Sequence, residues 1–177
     1  MNIILHGFVT GLFLQLAVGP LFFYLVGITL ASGFTASFWG VLAVTLVDLL
    51  YIFLSILGIG KLLEKKRLRK KFGLISSTVL LVFGVLMLIS AFSHPGSENQ
   101  VISRDWSGLS SFIDCFILTI SSPLTIVFWS SIFTAKALEK GISGSGLYLF
   151  GLGAGTATFI FLAPSMYLIS LLKTSIP

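Results

Sequence analysis

QLAVGPLFFYLV, residues 15–26, sets Gly19-Pro20 in the middle of a run otherwise fit to be one apolar helix. A hundred residues later LTISSPLTIVFW, residues 118–129, does the same with Ser122-Pro123. Proline inside a helix removes a hydrogen bond and clashes with the carbonyl one turn back, at about 3 kcal/mol or more. A chain that does this twice, in such similar words, is spending stability on two interruptions.

The surroundings say what solvent these interruptions sit in. Of 177 residues, 56% are hydrophobic and only 10% charged, and the mean hydropathy is +1.07. Soluble domains carry about 25% charged residues, so this inventory cannot cover a water-facing surface. The apolar runs are long and continuous, unlike the alternating strands of a membrane β-barrel. The expected fold class is therefore all-α and integral to a membrane, as a single transmembrane domain over 1–177. About 20 apolar residues cross the hydrocarbon, and five segments qualify: Ile3 to Leu30, Phe34 to Gly60, Phe72 to Phe92, about Leu109 to Ala135, and about Leu147 to Leu172. The first is long enough to need a tilt or a break. No cleavable leader is expected, because that first segment is too long for a signal core and lacks a basic start.

Charge sets the expected orientation. KLLEKKRLRKK, 61–71, holds seven basic residues between the second and third segments. The positive-inside rule puts that loop, and with it the N-terminus, in the cytoplasm of a multi-pass protein of the cytoplasmic membrane. The AKALEKG turn with Lys136 and Lys140 is then inside as well, while the polar loop HPGSENQVISRDW (94–106), Arg104 within it, and Lys173 are outside. The pI near 9.6 comes mostly from one loop, so it is a topology signal and not a nucleic-acid patch. The single cysteine, Cys115, excludes an internal disulfide and a CxxC pair.

The chain repeats itself. With Pro20 over Pro123, GPLFFYLV lies over SPLTIVFW; after a short gap, 33–51 lies over 141–159. Repeat one covers about 3–92 and repeat two about 107–173, separated by the 93–106 loop. The first copy has three helices and the second two, an incomplete 3+2 arrangement. An odd number of spans between the copies gives them opposite topology. Inverted repeats built on broken helices mark secondary transporters, with the substrate site near the midplane, because freed backbone groups are tolerated in a membrane only where protein or a wet cavity meets them.

Three side chains stand out beside the breaks. Asp48, near the centre of the second segment, is costly at about 2.5–3.5 kcal/mol on insertion scales and functional by default. It suits proton coupling or pairing with a substrate's amino group; the plainer reading is an interhelical hydrogen bond. Gln15 lies one turn before Gly19 on the same face and suits a zwitterion, or interhelical contact. Tyr51 shares the face of Asp48 and is expected to reach its carboxyl or simply to pack. The break cavity is assigned to Gly19, Pro20, Ser122, Pro123 and Thr156, the last being the repeat counterpart of Asp48. Pro164 has no counterpart and reads as a kink. Gly151 and Gly155 form a GxxxG, suited to close helix packing within the bundle or across a homodimer. Asp114 and Cys115 alone do not make a metal site, and no cofactor is expected. Neither a nucleophile–base pair nor a phosphate loop appears, Gly58-Ile-Gly60-Lys61 being too short, so the chain is not expected to be an enzyme.

At AVGPLFFYLV, GVLAVTLVDLLYIFLSILG and ISSPLTIVFWSSIF the sequence resembles the LysE/RhtB family of small amino-acid and metabolite exporters, over about residues 3–173. The resemblance implies Pro-Gly-Pro in helix one, where this chain has Val18-Gly19-Pro20, an acid in helix two, matched by Asp48, and Asn-Pro early in helix four, where this chain has Ser122-Pro123. It also implies about 200 residues and six helices, so this chain reads as a short form lacking the sixth. The implied function is export of an amino acid or similar metabolite coupled to proton entry. Two alternatives stand beside it: a divalent-cation exporter using Asp114 and Cys115, and a truncated remnant or interaction subunit whose uncovered face meets a partner.

Overall fold

The computed structural model describes residues 2–16, 19–57, 106–138 and 144–175, with Leu74, Thr78, Leu81, Val82 and Val85 between them. Six helices make up the described chain: α1 (Ile3–Gln15), α2 (Pro20–Ser32), α3 (Phe34–Ile56), α4 (Gly108–Ile120), α5 (Pro123–Leu138) and α6 (Ser145–Ser175). The expected third segment, apart from those five positions, and the basic 61–71 loop lie outside the described residues, as do 93–105 of the outer loop.

Both expected breaks are present, and both prolines sit at the first position of a new helix, Pro20 opening α2 and Pro123 opening α5. The missing proline N–H is there one of the donors a helix start leaves unpaired anyway, so neither ring distorts a helix interior. α1 and α2 meet at a bend of 80°. Each has 13 residues, about 20 Å of helix at 1.5 Å per residue, short of the roughly 30 Å of hydrocarbon. Neither half crosses alone. α3 and α6 are each long and apolar enough to cross, and the α1–α2 pair is a third crossing if taken as one span. Pro164, by contrast, lies inside α6, which continues past it.

The bundle is apolar outside and partly polar inside. Phe13 (69%), Phe23 (66%) and Leu109 (71%) are exposed, while Asp48, Ser37, Ser111, Thr119 and Thr158 are buried. A water-soluble fold of this size does not turn itself out in this way; a lipid-facing one does.

Glycine contacts fix how the helices run. A Cβ on Gly11 of α1 would stand 2.6 Å from the Ala154 carbonyl oxygen and 2.7 Å from the Ala157 methyl, and one on Gly7 would meet the Phe150 backbone. Gly153 faces the backbone of Ile4 and Phe8 in return. Positions 7, 11 and 15 thus climb beside 150, 154 and 158, so α1 and α6 run parallel with their backbones touching. On another face of α6, Gly151 and Gly155 receive Ile52 and Leu49 of α3, which runs the opposite way. The expected GxxxG therefore packs within the chain. α3 and α4 run parallel: Trp39 covers Gly108, Cys115 and Leu25 fill the space over Gly40, and Tyr51 reaches Ile120. α1 and α4, the first halves of the two broken segments, consequently run in opposite directions. α2 turns into α3 through Gly33, whose φ of +82° is a backbone shape that side-chain-bearing residues resist.

Candidate functional site

The two interruptions come to the same level of α3. Gln15, the last residue of α1, donates from Nε2 to the Thr158 hydroxyl at 2.7 Å, and that hydroxyl donates to Asp48 Oδ2 at 2.8 Å. The Trp129 indole and the Gln15 amide also face this carboxyl. Three residues further along α3, Tyr51 donates its hydroxyl to the Ile120 carbonyl at 2.5 Å. Ile120 is the last residue of α4, one of the carbonyls a helix end leaves without an intrahelical partner. Asp48 thus serves the first break through Gln15 and Thr158, and Tyr51 closes the second.

Asp48 is 5% exposed and Thr158 fully buried. The partners that the structure gives the carboxyl are neutral donors: a hydroxyl, an amide and an indole. A carboxylate held only by neutral groups keeps its full negative charge, in surroundings where an uncompensated ion costs several kcal/mol. The opposite polarity is supplied nearby by backbone. α2 and α5 both begin at the breaks, so the partial positive charge of their N-termini, roughly half an elementary charge each, lies at this level.

The second break is ordered by its own polar residues. Ser122 N–H donates to the Thr119 carbonyl at 3.1 Å and Ser121 N–H to Ile117 at 3.0 Å, while the Thr125 hydroxyl donates to Ser122 Oγ at 2.9 Å. At the first break Phe22 N–H donates to the Gly19 carbonyl at 3.0 Å. A side chain on Gly19 would meet nothing within 4 Å, so this glycine keeps open the space at the start of α2. Below the second break Ser55 and Ser130 share a hydrogen bond of 3.2 Å between α3 and α5.

Two of the expected contacts are corrected. Tyr51 was expected to reach the Asp48 carboxyl or simply to pack; its proton goes to Ile120 instead, because a freed carbonyl lies within reach and a phenol has one proton to give. Thr156, matched to Asp48 by the repeat, is exposed and turns its hydroxyl back to the Gly153 carbonyl at 2.8 Å. The threonine that meets Asp48 is Thr158. Two residues are about 200° around a helix, so a two-residue error in the repeat register selects the wrong face. Trp129 was not singled out at all; its signal was its place six residues after the second proline, at the end of the motif copy that begins at Ser122.

Asp114 and Cys115 are neighbours in sequence with different surroundings. Asp114 accepts from the Tyr24 hydroxyl at 3.2 Å, joining α4 to α2, and Cys115 is buried against Gly40. Among the described residues no group of three or more His, Cys, Asp or Glu side chains comes together.

The Tyr51 bond is testable in stability. Tyr51→Phe leaves the Ile120 carbonyl without its donor inside the bundle and should cost about 1 kcal/mol. Reversible unfolding in mixed micelles, compared with Tyr148→Phe on the exposed side of α6, measures it; equal stabilities would show that the Ile120 carbonyl gains nothing from Tyr51.

A helical bundle with lipid-compatible walls, a buried acid and two helix breaks flanking that acid defines an integral membrane protein organised around a polar centre. The chain belongs to the LysE type translocator family, whose model matches residues 12–176 and so takes in Gln15, both breaks, Asp48, Trp129 and Thr158. No curated protein and no solved structure matches it. Membership makes the chain a membrane transporter of small molecules such as amino acids.

Proposed function

We propose that this chain exports an amino acid or similar small zwitterion across the cytoplasmic membrane, coupled to proton entry, with Asp48 as the carboxyl that meets the substrate or the proton. The observation that carries the reading is the convergence of both helix breaks on one buried carboxyl with neutral partners. A zwitterion complements that place at both ends. Its ammonium suits Asp48 and the carbonyl ends of α1 and α4, and its carboxylate suits the N-termini of α2 and α5. Residues about 3–92 and 107–173 act as inverted halves that rock about the site, and the N-terminus and the 61–71 loop face the cytoplasm. The close α1–α6 contact, where glycines meet backbone, is the seam between the two halves.

Overexpression tests the reading. Cells carrying the chain should tolerate at least one toxic amino-acid analogue better than cells carrying an empty vector. Proteoliposomes should move the matching amino acid faster when a pH gradient is imposed. Identical sensitivity to every analogue, together with no amino-acid flux in liposomes, would remove the proposal.

A further inference from the structure

Among the described residues no cationic side chain is paired with Asp48. Among the described helices, cationic side chains occur as His6, Lys136 and Lys173. His6 lies in the first turn of α1, more than two turns before Gln15. Lys136 stands over the Phe150 ring at 5.7 Å from its centre, and Phe150 is eight residues, about 12 Å of helix, before Thr158. Lys173 donates to the Leu30 carbonyl at the far end of α6. Residues 72–92, the remaining apolar segment, contain no Lys, Arg or His. The basic loop begins at Lys61, thirteen residues beyond Asp48 in sequence. The other titratable groups on the elements around α3 are engaged elsewhere: Tyr51 with Ile120, Tyr24 with Asp114, Cys115 with the packing over Gly40, and Tyr148 and Tyr167 on the exposed side of α6.

A buried carboxylate whose described partners are all neutral is open to a positive charge from outside. We propose that Asp48 is a single exchange site at which a substrate's ammonium group and a proton displace each other. The inference rests on the export reading above and says how the coupling is made. On one side of the membrane the protonated carboxyl meets R–NH3+, gives its proton to that side's water, and becomes the carboxylate of an ion pair. On the other side a proton takes the place of the ammonium, which leaves. One proton enters for each ammonium exported, no further carboxyl is needed, and both ligands cannot be held together. The neutral donors Thr158, Gln15 and Trp129 suit this role because they hydrogen-bond the carboxylate without adding the fixed positive charge that would exclude both ligands. The substrate class follows: compounds carrying a primary ammonium bind, and the corresponding 2-oxo acids do not.

The purified full chain in detergent, weakly buffered with a pH indicator, tests it with an equimolar mixture of L-amino acids as probe. Binding should release about one proton per bound ammonium, and the apparent affinity should fall by about tenfold for each pH unit on the acidic limb, as mutual exclusion requires. Asp48→Glu should keep both effects with a displaced pH midpoint, and Asp48→Asn should show neither. Asp114→Asn should release its proton as the parent does. Binding without proton release, at an affinity indifferent to pH, overturns the shared carboxyl and leaves the export reading standing. Loss of release in Asp114→Asn with binding intact moves the coupling to Asp114 and overturns it equally. No binding of any amino acid by the parent chain overturns both readings.

Discussion

Asp48→Asn should be inserted, folded and inert in export. Asparagine has the shape of the carboxyl and still offers an oxygen to the Thr158 hydroxyl, which bonds Asp48 at 2.8 Å. The link that joins α3 to α6 and, through Gln15 at 2.7 Å, to α1 therefore survives. What is lost is the charge. Removing one partner of a buried ion pair costs about 3–5 kcal/mol, and each 1.4 kcal/mol is a factor of ten, so flux should drop by roughly a hundredfold or more. The neutral variant should be no less stable than the parent, because it no longer asks the bundle to enclose an ionisable group. Flux in proteoliposomes, read beside thermal unfolding of the same preparation, separates the two effects. An Asn variant exporting within a few-fold of the parent would take Asp48 out of the mechanism.

Proline chemistry made the breaks readable from the sequence, and the reason is local. A proline has no N–H to donate, so in a long apolar run it belongs at a helix start, and the helices indeed resume at Pro20 and Pro123. The helical character and the membrane class followed from composition in the same way. The partners at the centre are of another kind. Gln15 and Asp48 were legible because polar side chains are rare in apolar helices, yet the sequence could not say that a threonine hydroxyl lies between them. Thr158 and Thr156 are both threonines on one helix, and only the rotation of α6, set by its glycine contacts with α1, decides which one turns inward. Trp129 has the same difficulty, since its direction depends on how α5 leaves the break. For Tyr51 the sequence left open the Asp48 carboxyl or plain packing. Its true partner is a backbone carbonyl, which no residue letter reveals.

The rotation of α6 is itself open to test at Gly11. The α1–α6 contact was half visible: Gly151 and Gly155 stood out on α6, but Gly7 and Gly11 on α1, also four residues apart, did not, and Gly153 between the two α6 glycines is the one that meets α1. At Gly11 the obstacles to a methyl group are the Ala154 carbonyl oxygen at 2.6 Å and the Ala157 methyl at 2.7 Å. Neither is the free end of a flexible side chain, so the helices themselves must part. Gly11→Ala should lose about 1–3 kcal/mol, the usual range for overpacking, and Gly11→Leu should prevent docking of α1 altogether. Membrane helices have no hydrophobic drive toward each other, so close packing and hydrogen bonds carry their association, and a helix held off by one side chain loses both. The Gln15–Thr158 bond, one turn further on, should open with it. Unfolding in mixed micelles and crosslinking between cysteines placed at His6 and Leu149 report the two consequences. Gly19→Ala, whose added methyl meets nothing within 4 Å, is the control and should keep the parent's stability. If Gly11→Leu crosslinked and unfolded like the parent, α1 and α6 would not touch through their backbones, and the threonine turned toward Asp48 would have to be chosen by some other contact.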